Sequence, residues 1–265
     1  MPTLSKIYSS LISGTILFGI FFIASCQPDE GRKPTPKYGK LTVNIINQID
    51  GEPLVLDSIS HENAAGNKYG ITRIQYYLSN FAFFGAECGD YIPADDYHLI
   101  SMVNDPNIGD PNNNFLFKRT SFEFEIPAGC YNDFEFGIGV DSIRNAEGPY
   151  NGDLDFSWNM NWSWSGDYIF FKNEGTFIDS ANQEKNYAFH IGDNDYYKTV
   201  SFDFESEFDV VDGESYTLTL YADLNEFFDN PNKIDLREQS STMQPSPLQI
   251  LVSDNYSDMF SFELD

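Results

Sequence analysis

Phenylalanine alternates with an acidic or hydroxyl residue twice in this chain, in SFEFEIP (121–127) and in SFDFESEF (201–208). A side-chain period of two suits a strand with one dry and one wet face, because successive strand residues point to opposite sides. Phe122, Phe124 and Ile126 then share an inner face, and Ser121, Glu123 and Glu125 an outer one. The same period recurs in LTVNIIN (41–47), ITRIQYYLSNFAFFG (71–85), YHLIS (97–101), FLFKRTSFEFEIP (115–127), DFEFGIGVD (133–141), NYAFHIG (186–192), KTVSFDFESEF (198–208) and SYTLTLYADL (215–224). Gly, Pro, Asn and Asp punctuate these runs, and SWNMNWSWSGDYIFFKNEGTF (157–177) reads as a further strand region. The expectation is an all-β antiparallel sandwich or barrel-like single domain of about nine or ten strands.

Helix is scarce. ADLNEFF (222–228) can make two turns before DNPNK stops it, and QILVSDNYSDMFSFELD (249–265) reads as an apolar head, a polar turn at Ser253–Asn255 and a final strand. The 265 residues suit one large all-β domain. With 41 Asp+Glu against 15 Lys+Arg the formal net charge is -26, which argues against nucleic acid, whose phosphates bind clustered Lys and Arg. The 24 Phe and 16 Tyr exceed what a disordered acidic chain carries, so the acids are the solvated sides of strands over an aromatic core.

Residues 1–25 read as a lipoprotein signal peptide: Lys6 is the one charge, and the apolar run Leu11–Ser25 has the length of a secretory core. It ends at Ile23-Ala24-Ser25-Cys26, which resembles a bacterial lipobox and makes Cys26 the lipidation site. Removing one Lys and no acid leaves 14 minus 41, or -27. Residues 26–39 form a polar, Pro-rich tether, and 40–265 the domain. Asp29 and Glu30 resemble tags that send lipoproteins outward, so the expected location is the outer membrane, periplasmic or surface-exposed, held by the lipid. In an oxidising compartment the two remaining cysteines, Cys88 and Cys130, each beside Gly at a strand end, are expected to form a disulfide.

Common enzyme motifs are absent: there is no GxSxG, HExxH, P-loop or strand-linked GxGxxG, and no enzyme activity is expected. Imidazole is the commonest neutral metal ligand, so His61, His98 and His190, the three histidines, are candidates. Trp158, Trp162 and Trp164 are the only tryptophans, and on a strand Met160, Trp162 and Trp164 share a face. Trp also packs cores, and that reading competes with a binding role.

The block GDLDFSWNMNWSWSGDYIFFKNEG (152–175) resembles the MbnP-like family, periplasmic copper-binding proteins associated with methanobactin handling. Asn63–Asn80, Tyr97–Ile100, FGIGVD (136–141), Phe189–Gly192 and DNYSDMFSF (254–262) fall in family order, so the resemblance spans about 40–262. It implies a β-sandwich-like domain binding one copper per chain through two imidazoles, with an oxidised tryptophan, kynurenine, as a further ligand made by a diheme peroxidase-like partner. His190 matches the family's F-x-H-x-G histidine, and Trp162 and Trp164 its W-x-W pair. Where some relatives carry a second histidine this chain has Ser79, leaving His98, then His61, as the substitute. Two histidines with an open position suit copper, and an acidic surface concentrates cations. The rival is an adhesion or assembly lipoprotein binding Ca²⁺ or carbohydrate, with Asp105–Asn114 and Asp193–Asp195 as loops. A hydrolase using paired carboxylates is a third reading.

Overall fold

The computed structural model describes residues 37–94, 96–104 and 116–265; residues 1–25, read above as a signal peptide, Cys26, most of the expected tether and the loop 105–114 lie outside the described residues. The described strands are β1 (Tyr38–Ile49), β2 (Glu52–Pro53), β3 (His61–Glu62), β4 (Lys68–Phe84), β5 (Tyr97–Asn104), β6 (Leu116–Arg119) and β7 (Ser121–Pro127). They continue with β8 (Gly129–Ile138), β9 (Phe171–Ile178), β10 (Glu184–Ile191), β11 (Lys198–Val210), β12 (Ser215–Asp223), β13 (Ser241–Thr242) and β14 (Phe260–Leu264). Three short helices join them, α1 (Ser142–Glu147), α2 (Glu226–Asp229) and α3 (Pro247–Tyr256).

The strands form two mixed sheets in an all-β, sandwich-like arrangement. The five-stranded sheet runs β14-β12-β1-β2, with β7 also on β1. The nine-stranded sheet is built around β4, whose 17 residues serve several neighbours. Along one edge β4 pairs β9 through Tyr69–Tyr76 and β8 through Leu78–Phe84; along the other it pairs β3 and β5. That side therefore splits into two arms, β8-β11 and β9-β10-β13. At the β9 arm Gly175 lets the backbones approach, since a Cβ there would sit 2.0 Å from the Gly70 carbonyl oxygen.

The aromatic side chains pack between the sheets. Phe81 meets Phe122 at 5.4 Å, Phe134 meets Phe262 at 5.1 Å and Phe136 meets Phe260 at 5.2 Å between ring centroids. Edge-on or offset rings at such separations add to the area they bury. Asn47, buried in this core, accepts from the Tyr76 hydroxyl at 2.8 Å, so neither polar group is stranded. The expected disulfide Cys88–Cys130 is formed, with Cα atoms 5.6 Å apart, and ties the loop after β4 to the start of β8.

Several sequence expectations are corrected. The described strands number fourteen because three are two-residue pairings and because 115–127 is not one strand: at Thr120 the chain leaves the nine-stranded sheet (β6) and enters the other (β7). Pairing is not wholly antiparallel, since β1 runs parallel to β12 and β10 to β13. The helix at 222–228 shrinks to the single turn α2, because β12 continues through Asp223. The polar turn at Ser253–Asn255 lies inside α3, which starts with the Ser246 side chain accepting from Gln249 N and with Pro247 at the first turn.

Candidate metal centre

Residues 139–170 fold over the face of the nine-stranded sheet that looks away from its partner sheet. Val140, Leu154, Met160, Trp162, Tyr168, Ile169 and Phe170 make a second, smaller core there with Tyr77 and Leu99. The tryptophan-bearing part of the block is thus a cover on the sheet, and of the stretch 157–177 read as strand only the end, from Phe171 in β9, is a strand of it. Phe156–Trp158 forms one 3₁₀ turn capped by Asp155, and Asn159 follows in the left-handed region at φ 56°. A turn closed by Gly166 N donating to the Trp162 carbonyl then reverses the chain. This separates the residues expected on one strand face: Met160 and Trp162 are buried, whereas Trp164 at the turn is 67% exposed. The two indoles remain in contact, with centroids 4.8 Å apart, and Trp162 Nε1 donates to the Gly192 carbonyl. Trp158 lies elsewhere, against Phe117 and Arg119.

His190 sits beneath this cover on β10, 6.1 Å from the Trp162 ring. Alternation on β10 sends Phe189 and Ile191 into the main core and His190 outward. Glu174, outward on β9, contacts His190 Nε2 at 2.6 Å through Oε1 and Arg73 Nε at 3.2 Å through Oε2. Burial pushes the Glu174 carboxyl up, but the His190 hydrogen bond and the charges of His190, Arg73 and Lys172 outweigh it and hold it below the usual range. Lys172, the register partner of His190, is buried and donates from Nζ to the Asn159 carbonyl at 2.6 Å, fastening the cover to β9.

Burial brings the Lys172 ammonium down to about 8, with Arg73 adding to the effect and Glu174 opposing it. A folded-state value below that of the unfolded chain means that between pH 8 and the ordinary lysine range the unfolded state binds more protons, so stability rises with pH there. Relative to Lys172→Met, the metal-free wild type should gain about 2 kcal/mol between pH 8 and pH 10. Urea midpoints of both proteins at the two pH values test this; parallel behaviour would remove Lys172 as the cause.

The other histidines are elsewhere. His98 pairs with Leu78 on β4, while the row Gln75, Lys172, His190 crosses β4 three residues away, so His98 and His190 lie on opposite faces of the sheet. His98 stacks on Phe122 with ring centroids 3.5 Å apart and is hydrogen-bonded to the buried Asp96. His61 pairs with Tyr69, nine residues along β4 from Leu78, or roughly 30 Å of strand. Its imidazole is lowered by burial, with Asp50 opposing. Ser79, which the sequence comparison above left without a histidine, is buried and donates to the Gly139 carbonyl at 2.9 Å.

No two-imidazole copper site is therefore assembled, and among the described residues no three His, Cys, Asp or Glu side chains are grouped to hold a metal ion. That covers Asp193–Asp195 as well, where Asn194 instead accepts from Asn145. The Trp162–His190 face does fit a site with one imidazole. Copper accepts such a nitrogen, and a carboxylate on the other ring nitrogen is the partner that metal-bound histidines carry. Glu174, Lys172 and Arg73 escaped sequence reasoning because their meeting depends on register between β4, β9 and β10.

A protein-family profile described as MbnP matches residues 38–244. A solved structure, "MbnP from Methylosinus trichosporium", matches at 16% identity over 79% of this chain and 82% of that one, with a TM-score of 0.48. Among curated proteins none matches. The profile match takes in most of the chain, from the first described strand to the residues just past β13, and on that ground the chain belongs to the MbnP family.

Proposed function

We propose that this protein is a non-enzymatic envelope lipoprotein, anchored to the outer membrane through Cys26, that takes up copper at the Trp162–His190 face. The observation that carries the reading is that, of the three histidines, only His190 stands beside the indole pair; the Glu174 carboxylate contacts its Nε2 at 2.6 Å. With Nε2 engaged by Glu174, Nδ1 is the nitrogen left for a ligand. Bound copper would supply a redox-active, ligand-exchanging centre at the rim of this face. The acidic surface, with 41 Asp+Glu against 15 Lys+Arg, raises cation concentration around the molecule in a salt-dependent way.

Trp164 is the indole that an oxidising partner, such as a diheme peroxidase-like protein, can reach, because it is 67% exposed while Trp162 is 6% exposed and has its N–H engaged. Formation of kynurenine is accordingly assigned to Trp164.

Titration of metal-free protein with copper, wild type against His190→Ala, tests the reading. The expected result is one copper per wild-type chain and at least a tenfold weaker affinity in the variant, with unchanged circular dichroism because His190 lies outside the main core. Wild-type protein that binds no copper moves the function to the adhesion reading.

A further inference from the structure

Two sheet edges meet at one side of the sandwich. Among the described strands β11 pairs only with β8 and β14 only with β12. Phe262 of β14 packs on Phe202 and Phe204 of β11, at 5.2 and 5.8 Å between ring centroids. A cleft of about 550 Å³ runs between the two edges, lined in part by Phe204, Phe262 and Leu264, which are partly buried against the main core. On β11 the stretch Phe204 to Glu207 bulges out of register with β8. On β14 the backbone is half used. Asp265 and Thr217 exchange both of their N–H to C=O bonds, at 2.9 Å each. Bonded and non-bonded pairs alternate along an antiparallel ladder, so Glu263 and Ser261 also bond β12, while the N–H and C=O groups of Phe262 and Leu264 point away from it. Among the described residues nothing takes up those outward groups.

The charge around this edge selects its partner. Asp203 and Glu205 flank the cleft on the β11 rim, Glu263 and Asp265 on the β14 rim. Neither Lys nor Arg occurs from Thr199 to Asn232 or from Glu238 to Asp265, which takes in all of β12 and β14 and all of β11 after Lys198. Carboxylates on an edge repel another acidic strand, so a second copy of this chain, with its formal charge of -26, is kept off. The same carboxylates attract a cationic strand, since opposite charges directly across a ladder stabilise the pair. We infer that the β14 edge is a docking site for an extended cationic peptide, which adds as a further strand beside β14. The edge dictates a period of two in that peptide: apolar side chains against Phe204, Phe262 and Leu264, and Lys or Arg beside Glu263 and Asp265. Glu263 accepts from the Tyr221 hydroxyl at 2.7 Å through one oxygen, and its other oxygen is the one offered to the peptide. The inference goes beyond the copper reading of His190 and does not depend on it.

The test adds to the purified protein a short capped peptide of alternating Lys and Val. The control is the same peptide N-methylated at every valine, equal in charge but without the N–H groups that face β14. Amide hydrogen exchange is followed residue by residue by NMR. The Lys-Val peptide is expected to bind and to slow exchange at Phe262 and Leu264 about tenfold, with little change at Ser261 and Glu263, which already bond β12. The N-methylated peptide should protect neither. Glu263→Lys, at an exposed position, is expected to weaken binding about fivefold and to leave the urea midpoint unchanged. If the two peptides bind alike and Phe262 and Leu264 exchange as in the free protein, charge alone holds the peptide and strand addition at β14 is overturned. Protection of those two amides that grows with protein concentration, with no peptide present, would mean that the edge takes a second copy, which overturns the inference as well.

Discussion

Replacing Cys88 and Cys130 together by serine is expected to cost about 4 kcal/mol of stability in the chain-entropy account, in which a cross-link removes freedom from the unfolded chain. The bridge spans 42 residues of sequence, a loop that holds β5, β6, β7 and the start of β8. For a domain of this size that corresponds to a fall of about 10 °C in the thermal midpoint. Thermal unfolding of the two proteins without reductant measures it, and a fall of less than 2 °C would show that the loop is held by its packing alone. Phe83, packed on Phe124, and Phe134, packed on Phe262, continue to join the layers when the sulfurs are gone, so the double variant should still fold.

Phe171→Ala is the second large effect. Phe171 is fully buried and stacks on Tyr76 at 4.9 Å and Tyr256 at 5.2 Å, with Phe227 at 5.0 Å. Truncation removes most of a phenyl ring from a site closed by three other rings, which resist collapse into the space, and should cost about 3–5 kcal/mol. Phe171 also begins β9, whose next outward residues are Lys172 and Glu174. A denaturant series should show a lower midpoint at unchanged slope. A cost under about 1 kcal/mol would mean that the β4–β9 seam relaxes to fill the void.

Much of the fold was legible because strand alternation is local. Phe122, Phe124 and Ile126 do point inward, and a thiol pair in a presumed oxidising compartment was enough to expect Cys88–Cys130. The helix α3 had its signal in Ser246-Pro247, a cap followed by a first-turn proline, but the apolar Ile250 and Leu251 are exposed and obscure its buried stripe at Val252 and Tyr256. The block around Trp162 alternates like a strand, yet Asn159 and Gly166, both at positive φ, turn it into a cover.

The site was less legible than the fold, for a geometric reason. A sequence gives the face of a residue within its own strand but not which strand lies beside it. His98 and His190 were matched as one ligand pair, and the ladder through β4 puts them on opposite sides of a sheet. Glu174 comes to His190 only through the pairing of β9 with β10.

The parallel pairing of β1 with β12 has a kinetic meaning. Lys40 lies opposite Ser215, 175 positions later, and β14, which completes that sheet, ends one residue before the last of the 265. Contacts so far apart in sequence must close a long loop before they are rewarded, which slows folding. A chain delivered from its N-terminus, from a ribosome or through a membrane, therefore carries its first strand unmated on the β12 side through most of synthesis or passage. Commitment to the native sandwich waits for the C-terminal fifty residues.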